Sequence, residues 1–282
     1  MMLKRIQALL LRSPGNIVGL LIISGVLLCA ILADFVAPYD PLETNLRHRL
    51  QPPSKVHLLG TDSFGRDILS RIIYGARPSL LIGVNAVIFA LLLGSAIGIV
   101  AGYFGGNYGY LLMRIVEILM CFPSILIAIA IVAVLEPGVM QLIIAIAVAN
   151  VPSFARLAFA STLTIREREF VLAAEASGSS RLRIMVKHVL PNIISPLLVM
   201  GTLQLGSAIV TEAGLSFLGI GIQPPTPTWG LMLNEGKPYL RDAPWITISA
   251  GGAILLTVLG FNLVGDGLRD ILDPRYKLIR GG

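Results

Sequence analysis

Long apolar runs constrain this chain before any motif is considered. A helix needs about 20 mostly apolar residues to cross the hydrocarbon core of a bilayer. Six stretches reach that length: 17–37, 79–102, 115–135, 139–158, 194–219 and 245–265. Runs of this kind mark a transmembrane protein rather than a soluble domain. A mean hydropathy of +0.81 and a charged fraction of only 13% agree. The prediction is an all-α integral membrane protein with six transmembrane helices.

The first run follows Lys4, Arg5 and Arg12, as in a signal peptide. Its apolar part is long and lacks a small-residue cleavage site, so it reads as a retained first span. Orientation follows from Lys and Arg, which are in excess in cytoplasmic loops. With both termini inside, fourteen of the 22 basic residues fall on the inner side, and most of the others lie in the long segment 38–78. The expected division is a cytoplasmic start (1–16), a first span (17–37), an extracytoplasmic segment (38–78), a core (79–268) with a cytoplasmic loop at 159–193, and a cytoplasmic end (269–282). The net charge of +6 belongs to those inner loops, so no nucleic-acid partner is expected. Cys29 and Cys121 are too few for a disulfide framework.

Local signals refine this plan. Pro123 falls in the third span and Pro152 in the fourth, where freed backbone groups need partners from neighbouring helices or water. Gly94, Gly98 and Gly102 form a smooth strip along the second span, against which another backbone can pack closely. In "GTDSFGRDILSRIIYGAR", Thr61 or Asp62 can cap a helix. Phe64, Ile68, Leu69, Ile72 and Ile73 share one face, predicting a short amphipathic helix at the outer surface before span two.

The most polar stretch between spans is "EFVLAAEASGSSRLRIMVKHVLPN", residues 169–192. Glu167 and Glu169 suit the positive end of a helix dipole. Phe170, Ala173, Ala174 and Ser177 are expected on one face, and Gly178 reads as a left-handed C-cap. Ser179 or Ser180 can start a second helix lined by Leu182, Met185, Val186 and Val189 and ended by Pro191. A solvated loop, a nucleic-acid-reading helix pair and a docking element all fit a charged segment. Two capped amphipathic helices pinned against a membrane favour docking on a cytoplasmic partner.

The pattern Ala173-Ala174, Gly178 and Leu190-Pro191 resembles the EAA loop of ABC importer permeases. Leu172 stands where the family has its Glu, with Glu169 one turn earlier. "LGTDSFGRDILSRIIYGAR", "EAGLSFLGIGIQPPTPTWG" and "FNLVGDGLRDILDPRY" are similar to the dipeptide, oligopeptide and nickel permeases, specifically their second, C-type subunit. Glu117 stands where that family has Asp. The resemblance implies a type I ABC importer permease fold, an N-terminal helix plus a five-helix core, in the cell inner membrane. It also implies a second permease subunit forming a heterodimer, two ABC ATPase subunits that carry ATP and Mg, and an extracytoplasmic substrate-binding protein. Glu169, Phe170, Ala173, Ala174, Gly178, Leu190 and Pro191 would form the ATPase-docking coupling loop. Transport would proceed by alternating access, with short peptides as cargo and nickel or glutathione as alternatives.

No G-x-x-x-x-G-K-[ST] phosphate loop occurs, and "NEGKPY" has only the Gly-Lys pair. His48, His57 and His188 have no metal-site spacing. The chain therefore reads as non-catalytic, with no cofactor or metal of its own. A secondary transporter or channel acting alone is the rival class, but the halves show no repeat and such a protein has no need of a docking loop. Glu212 lies inside the fifth span, where a charge costs roughly 2.5–3.5 kcal/mol. It is expected to make an interhelical hydrogen bond or, second, to line the translocation path. Glu117 pairs most simply with Arg114 one turn away, with the translocation path or an interhelical contact as its other reading. Asp266 and Asp270, beside Arg269, suit a loop or inter-subunit contact.

Overall fold

In the computed structural model, residues 14–136 and 138–272 are described. The basic start around Lys4, Arg5 and Arg12 and most of the C-terminal segment lie outside them. The main helices are α1 (Pro14–Ile31), α2 (Ile68–Phe104), α3 (Gly106–Met120), α4 (Ser124–Leu135), α5 (Val139–Arg166), α6 (Glu169–Ala176), α7 (Arg181–Phe217), α8 (Trp229–Gly236) and α9 (Pro244–Leu272). Among the described residues there is no strand, only the isolated bridge between Thr61 and Asp67. Five helices are long and apolar enough to cross a membrane, or six spans if the bent pair α3–α4 counts as one.

The bundle is centred on α2 and α5. Lipid tails are as apolar as leucine, so helices associate in a bilayer through close packing rather than hydrophobic gain. Gly94, Gly98 and Gly102 supply that closeness, as their spacing predicts. A methyl at Gly94 would stand 2.6 Å from Phe154 Cβ, and one at Gly102 would stand 2.8 Å from Thr162 Cβ. Side chains of α2, α5, α6 and α7 share one core that includes Ile82, Leu142, Phe154, Ile184 and Leu197. α7 packs on α9, and α1 packs on α9 as well.

Three expectations about helix boundaries are corrected. Residues 115–135 are not one straight span: α3 and α4 meet at 90°. Pro123, at φ −54° and ψ 130°, stands just before α4 and cannot donate to the preceding turn. The 12 residues of α4 make only about 18 Å of helix, too short to cross alone. Second, no separate amphipathic helix precedes span two. Asp67, not Thr61 or Asp62, caps the helix, accepting from the Ser70 N–H at 2.8 Å. From there α2 runs for 37 residues, about 55 Å.

Third, Pro191 does not end a helix. A π turn at Met185–Val189, in which the Leu190 N–H donates to the Met185 carbonyl, lets α7 continue through it. Local π widening of this kind accommodates a proline that has no N–H of its own. The Asn192 side chain donates to the His188 carbonyl at 2.7 Å, satisfying another acceptor of the widened turn.

Candidate functional site

The stretch singled out by its polarity folds as a discrete feature. α6 is joined to α5 by Glu167 and Arg168 and to α7 by the turn at residues 177–180. Gly178 sits at φ +78° with open space around its Cα. Glycine stands there for its backbone freedom rather than for room. Its N–H donates to the Glu175 carbonyl at 2.9 Å, while the Ser179 N–H donates to the Ala174 carbonyl at 3.1 Å. That pair of bonds is the Schellman closure. Ser180 occupies the first-cap position of α7 but makes no side-chain cap bond.

One face of α6 is held and the other is free. Val171 is fully buried in the core shared with α2, α5 and α7. Ala174 packs half-buried against the same core, so it leaves the face on which the sequence placed it. Glu169, Phe170, Leu172, Ala173 and Ser177 are exposed, with Phe170 at 44% and Leu172 at 52%. Two large apolar side chains on so short a helix are solvent-facing in the isolated chain. Leu190 is half-buried behind the turn, and Pro191 is exposed beside it. The Phe170 ring lies 6.4 Å from that of His188.

At the edge of the held face, the Tyr103 hydroxyl donates to Oε1 of the exposed Glu175 at 2.6 Å. The Arg181 guanidinium lies 5.5 Å from the centre of the Phe104 ring. Both contacts join the 169–192 stretch to the last turn of α2. Sequence reasoning missed them, because Tyr103 is 72 residues from its partner and reads as ordinary span filling.

At the opposite end of α2 lies a buried ionic cluster that was also missed. Arg71 contacts Asp62 through Nη1 and reaches Glu235 Oε2 at 2.7 Å. Arg66 reaches Asp62 at 2.6 Å and Glu235 at 3.0 Å. Asp62, Arg66 and Arg71 are nearly inaccessible to solvent. The cluster fastens the segment before α2 to α8, and Trp245 Nε1 adds a hydrogen bond to the Thr61 carbonyl at 3.2 Å. Asp62 has a clear sequence signal, a basic residue four positions on, but the sequence gives no sign of Glu235.

The candidate path residues separate. Glu212 is fully buried in α7, where it accepts from the Ser216 hydroxyl at 2.8 Å. The hydroxyls of Ser79 on α2 and of Thr228, which caps α8, stand beside it. Glu117 is half-exposed on α3 and pairs with Arg114 at 3.0 Å. Asp266 and Asp270 are exposed near the end of α9. The described residues contain no cluster of three or more ligating side chains that could hold a metal ion.

A membrane bundle of this topology is a type I ABC importer permease. A structure of the MetNI methionine ABC transporter in inward-facing conformations matches the fold with a TM-score of 0.60 at 17% identity, covering 72% of this chain and 97% of that one. The chain belongs to the family of binding-protein-dependent transport system inner membrane components, whose pattern spans residues 94–278. Residues 3–53 match the N-terminal transmembrane domain of oligopeptide transport permease C. The dipeptide transport system permease protein DppC of Alkalihalophilus pseudofirmus is 49% identical, covering 93% of this chain and 86% of that protein. The di/tripeptide permease DppC of Pseudomonas aeruginosa is 46% identical, covering 94% and 89%. The glutathione permease GsiD of Pectobacterium atrosepticum is 43% identical, covering 88% and 83%.

Proposed function

We propose that this chain is one permease of an ATP-driven importer of short peptides. The identity of 49% to a dipeptide permease over nearly the whole chain carries the reading. A second permease would complete the transmembrane pathway as a heterodimer. Two ATPase subunits would hold ATP and Mg, and one of them would seat the exposed face of α6 in its cleft. Glu169, Phe170, Ala173 and the turn at Gly178 would form the contact, with Leu190 and Pro191 setting the angle at which α7 leaves it. Both termini would then be cytoplasmic, and segment 38–67 would face the binding protein on the other side. Glu212 acts in this reading as an interhelical contact, since its carboxyl lies among hydroxyls of α2, α7 and α8. Glu117 belongs to a helix-surface pair.

The test is purification of the tagged chain from its native membrane in mild detergent, followed by reconstitution of the recovered assembly in vesicles. A second permease and ATPases should co-purify, and labelled dipeptide should accumulate only with ATP and the binding protein. Recovery of the chain alone, moving solute without ATP, would overturn the reading. Glutathione is the second reading, favoured by the GsiD relative. Competition of dipeptide uptake by reduced glutathione separates the two.

A further inference from the structure

Among the described residues, α6 makes one side-chain hydrogen bond to another helix, the Tyr103–Glu175 bond. Its connections to α5 and α7 are short turns. The Schellman closure fixes the end of α6 to the turn that leads into α7. Tyr103 is itself 6% exposed and sits in the same core as Val171 and Ile184. A carboxylate acceptor makes this the stronger kind of hydrogen bond. The Arg181–Phe104 contact adds a second attachment one residue away.

α2 is the helix that receives this attachment, and it continues through Pro78 to the opposite face. There its first turns carry Arg71, locked to Asp62 and Glu235. A helix about 55 Å long thus joins the attachment of α6 to segment 38–67 and α8. α5 has no such device: Arg166 ends it, and no ionic contact of Arg166 exists among the described residues.

We propose that the Tyr103–Glu175 hydrogen bond is the tie through which movement of α6 is passed to α2, so that these two side chains set how much transport each ATP delivers. They are positioning residues, touching neither nucleotide nor cargo. The proposal rests on the reading of α6 as the ATPase-docking helix. It adds that docking and the apolar contact of Val171 with the core shared with α2 are insufficient without this bond to carry the full movement of α6 into α2.

The experiment uses the complete importer, both permeases, the ATPases and the binding protein, in vesicles. Subunit composition, ATP hydrolysis and dipeptide uptake are measured in parallel for Tyr103→Phe, Glu175→Ala, Glu175→Gln and the Tyr103→Phe/Glu175→Ala pair. Tyr103→Phe and Glu175→Ala should keep composition and hydrolysis, while uptake per ATP falls about tenfold, as expected for loss of a hydrogen bond to a charged acceptor. Glu175→Gln should recover most of the uptake, because its amide oxygen still accepts from the Tyr103 hydroxyl. The paired variant should be no worse than either single one, as for two ends of one interaction. Unchanged uptake per ATP in Tyr103→Phe overturns the proposal, and so does loss of the ATPases from the assembly, which would make the bond a scaffold. Failure of the docking reading shows separately, as a wild-type assembly that contains no ATPase.

Discussion

A methyl group added at Gly98 of α2 would lie 2.7 Å from the Ala158 Cβ of α5. The carbonyl of Ala155 and the N–H of Phe159 crowd the same point. The two longest-packed helices of the bundle thus touch backbone to backbone, and the contact has no flexible side chain able to yield.

Gly98→Ala should therefore destabilise the protein by about 1–3 kcal/mol through overpacking. Gly251, inside α9, has nothing within 4 Å of the position a Cβ would take. Gly251→Ala should leave stability unchanged or raise it by about 0.5–1 kcal/mol, the helix penalty of glycine. Thermal unfolding of both variants in the same detergent checks the contrast. Equal midpoints would mean that α2 and α5 can separate without penalty.

Gly178 tests the turn rather than the packing. Space is open around it, so only its φ of +78° resists substitution. Gly178→Val forces a β-branched residue into a left-handed conformation, at about 1–2 kcal/mol. Opening the Schellman closure instead would misdirect α6. Membrane insertion and yield should stay normal while ATP-dependent uptake is lost. Gly178→Asn, which tolerates this conformation better, should retain a substantial part of it. Normal uptake by the valine variant would remove the turn from the coupling route.

Much of this was legible in the chain, and the failures share a cause. The glycine strip and the Gly178 cap could be read because each rests on a local conformational rule with a fixed spacing. The 90° bend between α3 and α4 could not, since hydropathy over 115–135 measures apolarity and is blind to direction. Pro123 was visible, but sequence alone does not say whether a proline breaks a helix or is absorbed. Pro191 shows the opposite outcome, absorbed by a π turn that depends on what α7 packs against. The ionic cluster escaped because Arg66 and Glu235 are 169 residues apart. Asp62 was read by its nearest signal, a helix cap, when Asp67 fills that place.

Phe170 is the largest exposed apolar side chain of α6, and aromatic anchors of this kind tend to dominate interfaces. Phe170→Ala should weaken recovery of the ATPases with the purified permease by about tenfold or more, the scale of an interfacial hot spot. Val171→Ala, one residue on but fully buried, should instead lower thermal stability. If the two substitutions had the same effect, the exposed face would not be the docking face.

The buried ionic cluster should fail asymmetrically. Arg71→Met leaves the carboxylates of Asp62 and Glu235 with only Arg66 between them. Removing one partner of a buried ionic group costs about 3–5 kcal/mol, because charge is stranded rather than contact merely lost. Segment 38–67 should become susceptible to protease in the variant while the spans remain intact. High salt should not mimic the effect in the wild-type protein, since buried pairs are poorly screened. Release of the segment by salt alone would place the cluster in contact with solvent.

Glu212 gives the most discriminating comparison, because its two candidate roles predict opposite responses to the same substitution. As an interhelical contact, it needs an oxygen to accept from Ser216 and to face the hydroxyls of Ser79 and Thr228. Glu212→Gln keeps an acceptor of nearly the same shape and should preserve both stability and uptake. Glu212→Ala leaves the buried Ser216 hydroxyl without its acceptor and should cost about 1–3 kcal/mol. Were Glu212 instead a path residue acting through charge, Glu212→Gln would impair uptake with the unfolding midpoint unmoved. Measuring uptake and thermal midpoint for both variants decides between the roles, and the full burial of Glu212 favours the first.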